Sequence, residues 1–238
     1  MERRYSGEDL GGFGRDVGVR IHAWMRASGF EELAARTKPS QAALTSFFGK
    51  SEQAGHPLSE PGIPWLDMTE VQAAKGLAHF LDGCNPNRML AFLKALDTEV
   101  RWPETLYRVR AYADQPTGRG GRIDLLVCAQ DVSGRRWGCV IELKFGHTGG
   151  SNPLAEYAEF ARNGHGLGIT SRSQNVALAV VGLRCDGGTT RNLQKNGDWR
   201  FVHWEGLLRR FERSLAENGD VAPAFVEFRK ILWERVIR

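Results

Sequence analysis

Apolar positions along this chain follow two periods, and the switches between them mark the elements. Residues 15–49 carry Val19, Trp24, Met25, Phe30 and Leu33 at partly helical spacing, broken at Gly29. Ser40 is placed to cap a short helix ending at Phe48. Residues 51–64 are rich in Pro and Gly and read as a linker or wrapping loop. A helix follows to Leu81, capped by Asp67 or Thr69, with Val71, Ala74, Leu77, Ala78 and Leu81 as its apolar stripe. A second helix spans about residues 87–97. The period then drops to two. Residues 106–113 alternate, and residues 121–146 read as two apolar strands around a polar turn. Pro153 opens a helix to about Arg162. Residues 176–183 are a continuous apolar run, suited to a strand buried on both faces. Residues 184–198 read as a long polar loop. A strand over 199–204 and helices over 205–217 and 224–236 complete the chain.

This order predicts an α/β fold of the α+β kind, a mixed sheet flanked by helices. The strand after the crossover helix should run parallel to a central strand. Residues 1–64 are expected to form a helical appendage with its linker, and residues 65–238 the main domain.

Three charges interrupt the apolar hairpin: Asp124, Glu142 and Lys144. Strands buried on both faces seldom carry charges, because a lone buried charge costs several kcal/mol or more. Register brings the three together. A three-residue turn, Val132-Ser133-Gly134, needs a left-handed residue at its end, and Gly134 supplies it. Asp131 then faces Arg135, and Asp124 falls opposite Glu142. Cross-strand partners project on one face, about 5 Å apart at Cβ, and Lys144 shares the face of Glu142. A two-residue turn would scatter them. Two carboxylates so placed suit Mg²⁺, with the Leu143 carbonyl as a further oxygen ligand. An adjacent ammonium would orient an attacking water, an arrangement suited to phosphodiester hydrolysis.

Composition adds few constraints. The 238 residues, 42% hydrophobic and 25% charged, are ordinary for a globular protein. No apolar run approaches the length of a membrane span, and the N-terminus lacks the apolar run of a signal peptide, so a cytoplasmic protein is expected. The net charge of +4 rests on 25 arginines against seven lysines and permits nucleic-acid binding. Arg110, Arg119 and Arg122 are the candidate phosphate contacts. Arg135 and Arg136 sit at the turn and read as solvated tips. The four cysteines form no zinc spacing. Cys128 and Cys139 fall on opposite sheet faces, and the cysteines read as reduced core residues. No G-x-S-x-G and no recognisable catalytic cysteine motif points to a covalent nucleophile.

Asp124, followed by Glu142-Leu143-Lys144 at the end of the next strand, resembles the PD-(D/E)xK nuclease superfamily. The Glu-x-Lys is the only [DE]-x-K in the sequence. Upstream, Thr69-Glu70-Val71 opens a helix where that family often carries another acid. Downstream, Pro153-Leu154-Ala155-Glu156-Tyr157 is similar to the Gln-Leu-x-x-Tyr helix start of one branch. The likeness covers about residues 68–210. Two positions depart from it: Ile123 stands where a proline is usual, and Pro153 stands in place of the glutamine. The resemblance implies a restriction-endonuclease-like αβββαβ core and a metal-dependent nuclease, most readily a DNA endonuclease leaving 5′-phosphate and 3′-hydroxyl ends. It adds Glu70 to Asp124, Glu142 and the Leu143 carbonyl around Mg²⁺, or Mn²⁺ in its place, with Lys144 positioning or activating the attacking water. Restriction, phage defence and repair are the settings it implies. The other reading is a non-catalytic nucleic-acid-binding or assembly subunit on the same fold. The N-terminal helices are the expected surface for a protein partner or a second copy.

Overall fold

Gly134 and Asp131 set the register of the central hairpin. Gly134 has φ 78°, and its N–H donates to the Asp131 carbonyl at 3.0 Å. The Asp131 carboxylate accepts from Ser133 N, Ser133 Oγ, Arg135 N and Trp137 Nε1 at 2.6 to 3.0 Å. The Ser133 hydroxyl is the largest of the effects that hold this carboxyl down at about 2. The turn joins β2 (Arg122–Gln130) to β3 (Arg136–Lys144), which pair antiparallel from Gln130–Arg136 to Leu125–Ile141. That is the expected register, and one further step sets Asp124 opposite Glu142.

The computed structural model describes residues 68–82, 85–146, 152–162, 175–218, 220 and 222–237. Chain contacts divide at Pro64, and every described residue lies in the unit from Trp65 to Arg238. The expected appendage and linker, residues 1–64, lie outside the described residues.

The sheet is mixed, in the order β1-β2-β3-β4-β5. β1 (Tyr107–Pro116) pairs antiparallel with β2, and β4 (Val176–Gly182) runs parallel to β3, as expected. β5 (Trp199–His203) extends the sheet in parallel. β1 carries left-handed residues at Arg108 (φ 46°) and Asp114 (φ 57°), with a register shift between Tyr107 and Arg110. Such irregularities blunt an edge strand. Helices α1 (Glu70–Leu81), α2 (Pro86–Ala95), α3 (Leu154–Arg162), α4 (Gly187–Lys195), α5 (Trp204–Glu217) and α6 (Pro223–Ile237) flank the sheet. The element order thus contains αβββαβ.

Side-chain alternation divides the core. Leu126, Val140, Leu178 and Val180 pack with Leu154, Tyr157, Ala158 and Ala161 of α3. Asp124, Glu142 and Lys144 alternate onto that face, at the end of β3. α2, α5 and α6 pack together through Phe92–Phe211 and Phe211–Phe225, and a buried ion pair joins Arg229 to Glu212 at 2.5 Å.

Three expectations need correction. Residues 184–198 are not all loop. α4 starts at Gly187, capped by the Asp186 carboxylate, which accepts from Thr189 N at 2.6 Å. Thr189 is its only buried residue, so it has no apolar stripe to announce it. Val71 is 46% exposed, while Ala73 is buried. The buried face of α1 runs through Ala73, Ala74, Leu77, Ala78 and Leu81, and helical spacing from Ala73 and Ala74 leads back to Glu70, not Val71. Of the described cysteines, only Cys139 is fully buried; Cys128 is half-buried and Cys185 exposed.

Candidate metal centre at the end of the central strand

The end of β3 is pinned by side chains where the strand ladder stops. Asp124 Oδ2 accepts from Leu143 N at 2.8 Å, a bond the β2 main chain would otherwise supply. Glu70 Oε1, at the start of α1, accepts from Phe145 N at 2.7 Å. Thr69 caps that helix in a reciprocal box with Gln72, which fixes the turn carrying Glu70. Trp204 Nε1 donates to the Lys144 carbonyl at 3.2 Å, and its ring stacks on Phe145. Gly182 pairs with Lys144 on β4. A Cβ there would meet the Phe201 ring at 2.9 Å and Lys144 Cβ at 3.6 Å. The glycine therefore makes room beside the lysine.

Within this frame Lys144 Nζ donates to Glu142 Oε1 at 2.8 Å and lies 3.7 Å from Glu70 Oε2. Asn152 Nδ2 donates to the same Glu142 Oε1 at 2.9 Å. Glu142 Oε2 is buried and has no hydrogen-bond partner among the described residues. Glu142 as a whole is only 5% exposed. Burial, then the neighbouring Asp124, pushes its carboxyl up to about 7. Burial likewise raises Asp124, against the bond from Leu143. Burial alone would lower Lys144, but Glu142, together with Glu70 and Asp124, outweighs it and raises the ammonium's pKa. Three carboxylates therefore face one ammonium in a half-dry space.

The donor set fits a hard divalent cation. An orphaned carboxylate oxygen, a second carboxylate on the facing strand and an excess of negative charge are what such an ion satisfies. In a strand a residue's N–H and C=O face the same edge, so the Leu143 carbonyl shares the gap where Asp124 meets Leu143 N. Among the described residues no three His, Cys, Asp or Glu gather closely enough to hold a metal by themselves. Two carboxylates with waters and a substrate phosphate is the ordinary Mg²⁺ arrangement. Glu70 sits by Phe145 N and, through its other oxygen, 3.7 Å from Lys144 Nζ.

The candidate arginines are exposed, and each pairs with an acid. Arg110 pairs with Asp82 at 2.9 Å, Arg119 with Glu159 at 2.7 Å and Arg122 with Asp114 at 2.5 Å. Arg122 is nearest the carboxylates in sequence. Its backbone is tied to the buried Tyr157, whose hydroxyl donates to the Arg122 carbonyl at 2.7 Å. Arg110 lies opposite Cys128, well along β2 from Asp124.

Asn152, Gly182 and Asp114 were not legible as site residues. Asp114 lies on β1 level with Asp124, in a left-handed conformation, and its Arg122 partner lowers its pKa. A cavity of about 610 Å³ lies elsewhere, by Arg101, Arg135 and Trp137 near the start of β3. No family model matches this chain, and neither curated proteins nor solved structures give a match.

Proposed function

We propose that this chain is a metal-dependent phosphodiesterase of the PD-(D/E)xK kind, acting on nucleic acid and most readily on DNA as an endonuclease. The observation that carries the reading is Glu142 Oε2, buried without a hydrogen-bond partner among the described residues, on a carboxylate held by Lys144 beside the strand of Asp124. Asp124, Glu142 and the Leu143 carbonyl would hold Mg²⁺ or Mn²⁺. When bound, such an ion polarises the scissile phosphate and lowers the pKa of an attacking water.

The protein's own groups do the rest. The Lys144 ammonium orients the water and offsets charge that develops on the phosphoryl oxygens. Glu70 holds Phe145 N and stands beside Lys144, so it sets the lysine's position. Burial around Glu142 excludes bulk water and strengthens each of these interactions. Arg122 supplies phosphate affinity at the rim by exchanging Asp114 for a phosphodiester. A cytoplasmic defence, restriction or repair role suits such an activity.

The closed Glu142–Lys144 pair also favours a second reading, a nucleic-acid-binding or assembly subunit that no longer cleaves. One assay separates the two. Plasmid, linear duplex, single-stranded DNA and RNA are incubated with Mg²⁺, Mn²⁺ or EDTA, using wild type, Asp124→Ala and Lys144→Ala. Metal-dependent cleavage by wild type alone supports the nuclease. Cleavage that survives Asp124→Ala rejects the site, and binding without cleavage supports the subunit.

A further inference from the structure

The two oxygens of Glu142 are treated unequally. Oε1 receives both donors, Lys144 Nζ at 2.8 Å and Asn152 Nδ2 at 2.9 Å, while Oε2 receives none among the described residues. The two donors differ in kind. Lys144 sits at the end of a flexible stem, and Glu70 draws on it from 3.7 Å. Asn152 is neutral, short and held at its main chain. Its carbonyl accepts from Asn192 Nδ2 of α4 at 3.1 Å and from Leu154 N at 2.9 Å. The carboxamide is thus brought in by α3 and α4, from outside the hairpin that carries the acids.

We propose that Asn152 is the positioning residue of this centre: it keeps Glu142 Oε1 occupied so that Oε2 is presented to the divalent cation. The inference rests on the metal-site reading above. A carboxylate held by one lysine would turn whenever that lysine engaged substrate. With Asn152 in place, Lys144 can leave Oε1 and the carboxylate keeps its orientation. Partners that orient a metal's ligands typically carry 10- to 100-fold in affinity.

The test is calorimetric titration of the full chain with Mn²⁺ for wild type, Asn152→Ala, Asn152→Leu and Glu142→Ala. Asn152→Leu keeps the side-chain volume and removes the donor. Both Asn152 variants should keep the wild-type circular dichroism spectrum and bind Mn²⁺ about 10-fold more weakly or worse. The loss should grow in a Lys144→Ala background, where Asn152 is the last donor to Oε1. In cleavage, the Mn²⁺ concentration for half-maximal rate should rise while kcat at saturating Mn²⁺ recovers, which a general loss of structure would not produce. Asn152 variants that bind Mn²⁺ as tightly as wild type, while Glu142→Ala loses it, would overturn this inference and leave the metal site standing. A wild type that binds no Mn²⁺ would overturn both.

Discussion

Glu142→Gln should stabilise the metal-free protein, and only toward neutral pH and above. In the fold the Glu142 carboxyl titrates near 7 instead of 4.5, first through burial and then through Asp124. A raised acid pKa means that the folded state holds the proton more tightly than the unfolded chain. Stability therefore falls as pH rises from about 4.5 to about 7, and levels off above. Holding the proton up to about 7 is worth about 3 kcal/mol at pH 8, and at 5% exposure solvent screens little of it. Glutamine keeps the shape and fixes the uncharged form, so it removes that penalty. For a domain of this size the gain raises Tm by about 6 to 12 °C. The assay is thermal unfolding in EDTA at pH 4 and pH 8, then at pH 8 with Mg²⁺. Wild type should trail the variant at pH 8, match it near pH 4, and gain about 2.7 kcal/mol when Mg²⁺ reaches 100 times its Kd. The variant should gain little. Equal stability in EDTA at pH 8, or an advantage of equal size at both pH values, would refute the reasoning.

Other perturbations test the frame around the site. Gly182→Ala should cost about 1 to 3 kcal/mol in urea unfolding, because the new methyl meets the Phe201 ring at 2.9 Å; it should also slow cleavage by crowding Lys144. Tyr157→Phe removes the hydroxyl bound to the Arg122 carbonyl, and should cost about 1 kcal/mol with cleavage largely kept. Arg229→Met strands the buried Glu212 carboxylate and should cost about 3 to 5 kcal/mol, most of it recovered in Arg229→Met/Glu212→Leu. Arg122→Ala should weaken DNA binding and flatten its salt dependence by roughly one unit of slope, read from binding isotherms between 50 and 200 mM salt; an unchanged slope would remove Arg122 from the interface.

What could be read from the residues was what is local. Gly134 and Asp131 specify one turn, and that turn specifies which side chains share a face. The placement of Asp124, Glu142 and Lys144 follows from four adjacent positions and a strand period of two. The rest depended on packing. The apolar residues at the start of α1 suggested Val71 for its buried stripe, whereas contact with β1 turned the helix so that Glu70 continues its buried face. α4 buries only Thr189 and had no stripe to show, yet it supplies the Asn192 that holds Asn152. Asn152 itself follows a polar, glycine-rich stretch of sequence, where an asparagine has no distinguishing pattern. Its role exists only once α3, α4 and β3 meet.

A shifted pKa alone does not mark this site, and Glu212 proves the point. Burial pushes Glu212 up to about 7 as well, despite Arg229 at 2.5 Å. Its environment differs in two respects. One guanidinium faces it, so acid and base balance, and no oxygen of Glu212 is left both buried and unpartnered among the described residues. That pair is complete and belongs to the packing of α5 against α6. At the end of β3, Glu142, Glu70 and Asp124 act on one ammonium, and Glu142 Oε2 has nothing to accept from among the described residues. A fold can retain such an imbalance cheaply only where the ladder ends. There Asp124 replaces a main-chain partner for Leu143, beyond the last β2–β3 pair, Leu125–Ile141. The centre is thus built from the last step of the hairpin register, and what it lacks is positive charge.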